Sequence, residues 1–195
     1  MKTALVTGAS RGLGKEIARM LAERGFTVEA PARLAMDVGD MDSIVRVAKA
    51  MTLVGGHIDV LVNCAAILSE GLGASLQINA VGPYIVTRTF WPLLTKPGAR
   101  VINISSREGL SHDQGFGARP YSVSKSALNA ITRMQSNNPD GVAVCACCPG
   151  WFNSRLGGDA APRSAAEAAD TPVWLATEAT GINGHFFSNR TIVPW

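Results

Sequence analysis

Two clusters of residues in this sequence have the types and the spacing to do chemistry. Tyr121-Ser-Val-Ser-Lys125 sets a phenol and an ammonium four residues apart, which on a helix brings them to one face. A cation that close favours the phenolate and lowers the phenol from its usual pKa of about 10. Tyr121 then becomes usable as a general acid or base near neutral pH. The same five residues on a surface helix with a solvated lysine would do nothing, so the pattern needs a companion. Thr7-Gly-Ala-Ser-Arg-Gly-Leu-Gly14 supplies it, lying between an apolar run at 3–7 and a helix-patterned segment at 13–24. A strand that passes through glycines straight into a helix presents unpaired N–H groups and the positive end of a helix dipole. That is a seat for phosphate. Side chains at 8, 12 and 14 would block the turn, the approach of a pyrophosphate, or helix-on-sheet packing. The spacing, Gly-x3-Gly-x-Gly, differs from the commoner Gly-x-Gly-x-x-Gly fingerprint.

Positioning these clusters takes an alternation of strands and helices. Leu13, Ile17, Met20 and Leu21 recur at helical spacing and Gly25 stops the helix. A strand is expected over 26–30. Asp40 or Asp42 caps the next helix, which carries Ile44, Val47, Ala48, Met51 and Val54 on one face and ends at Gly55-Gly56. Residues 57–63 read as a strand buried on both sides. Helices follow over 76–94 and 121–135, with strands over 99–105 and 142–148. Ser164-Ala-Ala-Glu167 opens a last helix with a capping box, to about residue 177, and 185–193 closes the sheet. Strands alternating with helices of this length predict an α/β architecture, a Rossmann-type doubly wound parallel sheet with helices on both faces, in one domain over 1–195. Ligands in such sheets bind beyond the carboxyl ends of the strands, where the glycine loop, Asp37, Asn63, Ser105-Ser106 and Pro149-Gly150 fall. Only residues 31–36 separate the second strand from Asp37, whereas a parallel crossover needs a dozen or more. The helix after strand two must be missing, and the third strand shortened or lost.

At 195 residues and 47% hydrophobic the chain can bury one full core. Its net charge of +3 is small and scattered, which argues against nucleic acid or an anionic membrane and for a small-molecule partner. Met1-Lys2 runs directly into the first strand, and no apolar run approaches the roughly 18 residues of a spanning helix. A cytoplasmic protein is expected. Cys64, Cys145, Cys147 and Cys148 lie in apolar segments without Cys-x-x-Cys spacing and read as reduced, buried thiols. His57, His112 and His185 are too dispersed for a metal site.

With Tyr121-x-x-x-Lys125 the sequence resembles the short-chain dehydrogenase/reductase family, and it does so over essentially the whole chain. The matching stretches are Thr7-Gly-x3-Gly-x-Gly14, Asp37-Val38, Asn63-Cys-Ala-Ala66, Asn79, Val101-Ile-Asn-Ile-Ser-Ser106, Tyr121-x-x-x-Lys125 and Pro149-Gly-Trp-Phe-Asn-Ser154. The resemblance implies that Tyr121 protonates the substrate oxygen, Ser106 holds it, Lys125 binds the nicotinamide ribose and tunes the tyrosine, and Asn79 anchors a relay water. Pro83 supports the last role, since a helical proline cannot donate to the carbonyl four residues back; a proline tolerated in a first helical turn explains it as well. Ser106 matches the second serine of the family pair, while Ser105 could simply end the strand. The resemblance assigns the cofactor to Gly8, Ser10, Arg11, Gly12, Leu13, Gly14, Arg33, Asp37, Val38, Asn63, Ala65, Tyr121, Lys125, Pro149, Gly150, Phe152 and Ser154. Asp37 and Val38 would meet the adenine, and Gly150 would admit the nicotinamide ring closely.

Charge decides which cofactor is expected. Ala32 occupies the position where NAD sites carry an acidic residue, while Arg33 and Arg11 suit the 2′-phosphate of NADP(H), which is favoured over NAD(H). Trp151, Phe152 and Leu156 are candidates for an apolar substrate wall, and His112 and Asp113 for substrate contacts. The segments over 66–79 and 154–164 are short, and Ala66 puts a methyl group where the family has glycine. Trp151, Gly157-Gly158 and the ending at 186–195 resemble the carbonyl-reductase-like and C-factor-like branch. An NADPH-dependent reductase of a small ketone, aldehyde or quinone is the implied function. A non-catalytic NADP-binding regulatory module is the alternative; epimerases and dehydratases of related fold need a substrate domain this chain has no length for. Trp91, Leu128 and Ile131 would suit burial in a homodimer or homotetramer.

Overall fold

A computed structural model of the chain describes residues 1–110 and 119–195. His112 and Asp113 lie outside the described residues. Among the described residues the sheet has seven strands in the order β2-β1-β3-β4-β5-β6-β7, formed by β1 (Thr3–Val6), β2 (Thr27–Glu29), β3 (Val60–Asn63), β4 (Arg100–Ile104), β5 (Ala143–Cys148), β6 (Phe186–Ser188) and β7 (Thr191–Val193). All neighbours pair in parallel except β6 and β7. The helices are α1 (Gly12–Glu23), α2 (Met41–Leu53), α3 (Leu72–Leu76), α4 (Gly82–Phe90), α5 (Pro120–Ser136) and α6 (Ala165–Thr177).

The two-residue period of a strand builds both layers at once. Ala4 and Val6 join the layer of α1 and α6, with Leu13, Ile17 and Leu21, while Leu5 joins the layer of α2 and α4, with Ile44 and Phe90. Burying each such Leu or Ile contributes roughly 2 kcal/mol, so both faces of β1 are held and the loop leaving it is anchored. The chain turns to one side of β1 for β2 and to the other for β3. Residues 7–8 and 64–65 therefore face each other across the switch in strand order, where a crevice opens.

The missing helix is confirmed: residues 30–40 connect β2 to α2 through a turn at Ala32–Met36, and β2 is the edge strand of the described sheet. Asp40, not Asp42, caps α2. Three expectations need correction. The closing segment is not one strand but a hairpin, because Asn189 and Arg190 both take positive φ (51° and 58°) and fold β7 back on β6. The helix expected over 76–94 starts at Leu72 and changes pitch: a π-helical turn occupies Gln77–Val81 ahead of α4, and a 3-10 turn follows at Trp91–Leu93. Leu128, expected on an outer face, is 1% exposed and belongs to the interior. Trp91 is half-buried, bonded to Asp140 at 2.6 Å with Lys96 over its ring. No helix among the described residues is long and apolar enough to cross a membrane.

Candidate active site

The glycine loop is shaped by contacts that tolerate no side chain. A Cβ on Gly8, whose φ is +69°, would stand 2.7 Å from the Ala65 Cα, and one on Gly14 would stand 2.5 Å from the Gly8 carbonyl oxygen. Gly12 has φ +53° and open space beside it. Thr7 fixes the opposite wall: its hydroxyl accepts from the N–H groups of Cys64 (3.0 Å) and Ala65 (3.2 Å). Arg11 precedes α1 in an extended conformation, no side chain caps that helix, and its first turn carries no acidic residue. Backbone donors and a positive dipole end thus face open space at Gly12, an arrangement that fits a pyrophosphate. Ser10 and Arg11 are exposed at its rim, whereas the Leu13 side chain is buried in the α1 layer and leaves only backbone for a ligand.

Asn63, assigned to the cofactor by the resemblance, turns its side chain into the core. Its amide donates to Asn103 Oδ1 (2.8 Å) and Thr87 Oγ1 (3.0 Å) inside the core, so it ties β3 to β4 and α4. Arg33 and Asp37, which the missing helix brings four residues apart, form an ion pair at 2.9 Å; the Arg33 side chain is 81% exposed. Asp37 also accepts from the Gly39 N–H at 2.9 Å, and that bond first, then Arg33, holds its carboxyl below the usual range. The Val38 side chain is buried, and its carbonyl lies where a Cβ on Gly82 would stand, 2.7 Å away.

Ser106, Tyr121 and Lys125 come together. Ser106 follows β4 and its Oγ accepts from the Glu108 N–H at 3.2 Å. The Ser106 hydroxyl lies close enough to the Tyr121 phenol to favour the phenolate. One helical turn on, Lys125 is 2% exposed, donates from Nζ to the Ile104 carbonyl at 2.8 Å, and stands 5.6 Å from the Tyr121 ring centre. Ser105 is buried and bonded to Asn129 at 2.6 Å, so Ser106 alone of the pair faces the tyrosine. The phenol, expected to be lowered by Lys125, is instead pushed well up, by burial first and then by the Glu108 charge and Cys148, against the opposing influence of Ser106 and Arg119. Burial also pulls Lys125 down to about 8, partly offset by Cys64, Cys148 and Cys147.

Asn79 sits in the π-helical turn, fully buried. Its side chain accepts from the Ile67 N–H (2.8 Å) and donates to the Ile67 carbonyl (2.9 Å) and Ser124 Oγ (3.0 Å). Pro83 removes the i+4 donor from its carbonyl, and a π turn at that spot is a recurrent mark of functional sites. Two further residues were not foreseen. A Cβ on Gly109 would stand 2.7 Å from the Lys125 carbonyl carbon, so this glycine seats the Ser106 segment against α5. Glu108 accepts from Ser122 Oγ and from Arg119, each at 2.7 Å. The Arg-Glu-Gly run offers no periodicity that would have flagged either one.

On the far rim, Gly150 has φ +80°, but the space beside it is filled by Arg163: a Cβ there would stand 2.5 Å from Nη1. The close ring approach expected at Gly150 is therefore not open from that side. Ser154 accepts from the Gly157 N–H at 3.0 Å. Trp151 and Leu156 are exposed, while the half-buried Phe152 packs against the α1 and α6 layer.

The family pattern described as short chain dehydrogenase matches residues 2–35 and 31–164. The chain belongs to the short-chain dehydrogenases, a family of nicotinamide-dependent oxidoreductases. Among relatives of this short-chain dehydrogenase, carbonyl reductase [NADPH] 1 of Bos taurus is 27% identical over 271 residues, covering 98% of each chain. The Homo sapiens protein of the same name is 25% identical at the same coverage. These alignments exceed the 195 residues of the chain, which meets them with internal gaps. Carbonyl reductase Sniffer of D. melanogaster superposes with a TM-score of 0.83 at 23% identity, over 100% of both chains. A short chain dehydrogenase from Burkholderia cenocepacia J2315 in complex with NADP gives 0.84 at 22% identity, over 96% of this chain and 95% of that one. These two likenesses establish the fold.

Proposed function

We propose that this short-chain dehydrogenase is an NADPH-dependent reductase of small ketones, aldehydes or quinones. The observation that carries the reading is the convergence of three groups: Ser106 beside the Tyr121 phenol, and the buried Lys125 amine 5.6 Å from the Tyr121 ring centre, one helical turn on. The carbonyl reductases among its relatives, and neighbours bound to NADP, support the cofactor and the substrate class. The first turn of α1 with Gly8, Gly12 and Gly14 would hold the pyrophosphate, and Arg33 with Arg11 a 2′-phosphate; NADPH supplies the hydride when bound.

The residues handle the oxygen and its proton. Ser106 donates to the carbonyl oxygen, and Tyr121 delivers its proton as negative charge develops there. A phenol pushed above its usual value stays protonated at neutral pH, which suits reduction. Lys125, with a pKa near 8, is mostly charged at pH 7 and stabilises the phenolate left behind. The Asn79 carbonyl, freed by Pro83, anchors the water that returns the proton. The four free cysteines fit a reducing cytoplasm. The exposed Val81, in the π-helical turn that leads into α4, and Met134 on α5 fit a homodimer through this face.

The test is NADPH oxidation, followed by nicotinamide absorbance across a carbonyl panel, for the wild type and Tyr121→Phe. Loss of the acid should lower kcat by about 10²–10⁴ with the fold intact. Wild-type protein that binds NADPH yet oxidises none of it, with Tyr121→Phe indistinguishable, would instead favour a regulatory module.

A further inference from the structure

We propose that Arg163 is a positioning residue that braces the Pro149–Gly150 turn against which the nicotinamide end of the cofactor lies. The inference rests on the nicotinamide-dependent reading above. Gly150 takes a left-handed backbone, and the room its missing side chain leaves is occupied by the Arg163 guanidinium. Nη1 donates to the Pro149 carbonyl at 3.1 Å and Nη2 donates to Asn189 Oδ1 at 2.7 Å. The backbone of Arg163 is engaged as well: its carbonyl accepts from the Asn153 N–H at 2.8 Å, and it forms a parallel bridge with Phe152. One residue thus joins the turn after β5, the first leg of the short segment beyond it, and the β6–β7 turn.

Its root is firm, because the next residue, Ser164, caps α6 in a reciprocal capping box with Glu167. Among the described residues no carboxylate lies within ion-pair distance of Arg163; both side-chain acceptors are neutral amide oxygens. A planar fork of donors on two fixed acceptors orients as well as attracts. The short stretch between Gly150 and α6 contains no helix, so this side chain takes over bracing that a longer insertion would otherwise provide.

The experiment uses the full chain and three variants: Arg163→Ala, Arg163→Lys and Asn189→Gly, the last keeping the left-handed turn while removing its amide. NADPH affinity is read by nucleotide fluorescence titration, KM for NADPH and for a carbonyl substrate by steady-state kinetics, and integrity by thermal melting. Arg163→Ala should weaken NADPH binding by about tenfold or more, the loss expected for a charge-assisted hydrogen bond. Arg163→Lys and Asn189→Gly should fall between it and the wild type, and KM for the carbonyl should stay within about twofold. The inference is overturned if Arg163→Ala and Asn189→Gly both melt like the wild type and bind NADPH within about twofold of it. It is equally overturned if in both variants melting temperature and NADPH affinity fall while the carbonyl KM rises in step, which would mark a structural strut. Wild-type protein that fails to bind NADPH overturns the nicotinamide reading itself, a result distinct from an active wild type with unaffected variants.

Discussion

Replacing Lys125 with methionine separates what this residue does for the reaction from what it does to the fold. Its amine is buried, and burial pulls it from the ordinary 10.5 to about 8. That drop corresponds to roughly 3 kcal/mol carried by the folded state whenever the amine is charged. Methionine has similar length and no charge, so it removes this cost, but it also deletes the 2.8 Å bond to the Ile104 carbonyl. Losing that bond costs about 1–3 kcal/mol. At pH 7 the two effects largely offset each other, and the informative quantity is the pH dependence. Between about 8 and 10.5 the folded wild type binds fewer protons at this site than the unfolded chain, so this site makes stability rise with pH across that window. The Lys125→Met protein lacks that rise. Denaturant unfolding of both proteins at pH 7, 9 and 10.5 should show the wild type gaining about 3 kcal/mol relative to the variant across the series. A stability gap that stays flat with pH would refute the assignment of a buried, depressed amine. Reductase activity should be nearly lost in the variant, and in the wild type should decline as pH rises through about 8.

Two further perturbations probe the cofactor cradle. Arg33→Ala, which removes an exposed guanidinium paired with Asp37, should raise KM for NADPH by about tenfold to a hundredfold, as expected for a charge-assisted bond to phosphate. KM for NADH should change by less than about twofold, and unequal kinetics with the two nucleotides is the check. Gly14→Ala drives a methyl group to 2.5 Å from the Gly8 carbonyl oxygen, a contact between two backbone segments that cannot rotate away. It should cost about 1–3 kcal/mol and lower the melting temperature by about 2–12 °C, with nucleotide affinity falling alongside. A variant that melts and binds normally would show that the loop has slack.

Much of this protein was legible in its sequence because the decisive signals are local. The glycine spacing dictates a turn that only glycine can make, the period of Leu13, Ile17 and Leu21 dictates the buried face of α1, and Tyr121 and Lys125 sit one helical turn apart whatever surrounds them. The short stretch after β2 announced a lost helix by length alone. What the tertiary structure decided depends on groups far apart in the chain. The phenol rises because packing desolvates it and brings Glu108 near, which outweighs Ser106 and Arg119. Asn63 turns into the core because Thr87 and Asn103 wait there as partners, and Leu128 is interior because α5 packs that face inward. Arg163 reaches Gly150 only because the folded chain carries the start of α6 and the β6–β7 turn to the same rim. Spacing along a chain sets which groups can share a helix face or a turn. Desolvation and long-range partners, which set their charge and their final contacts, exist only once the layers have closed.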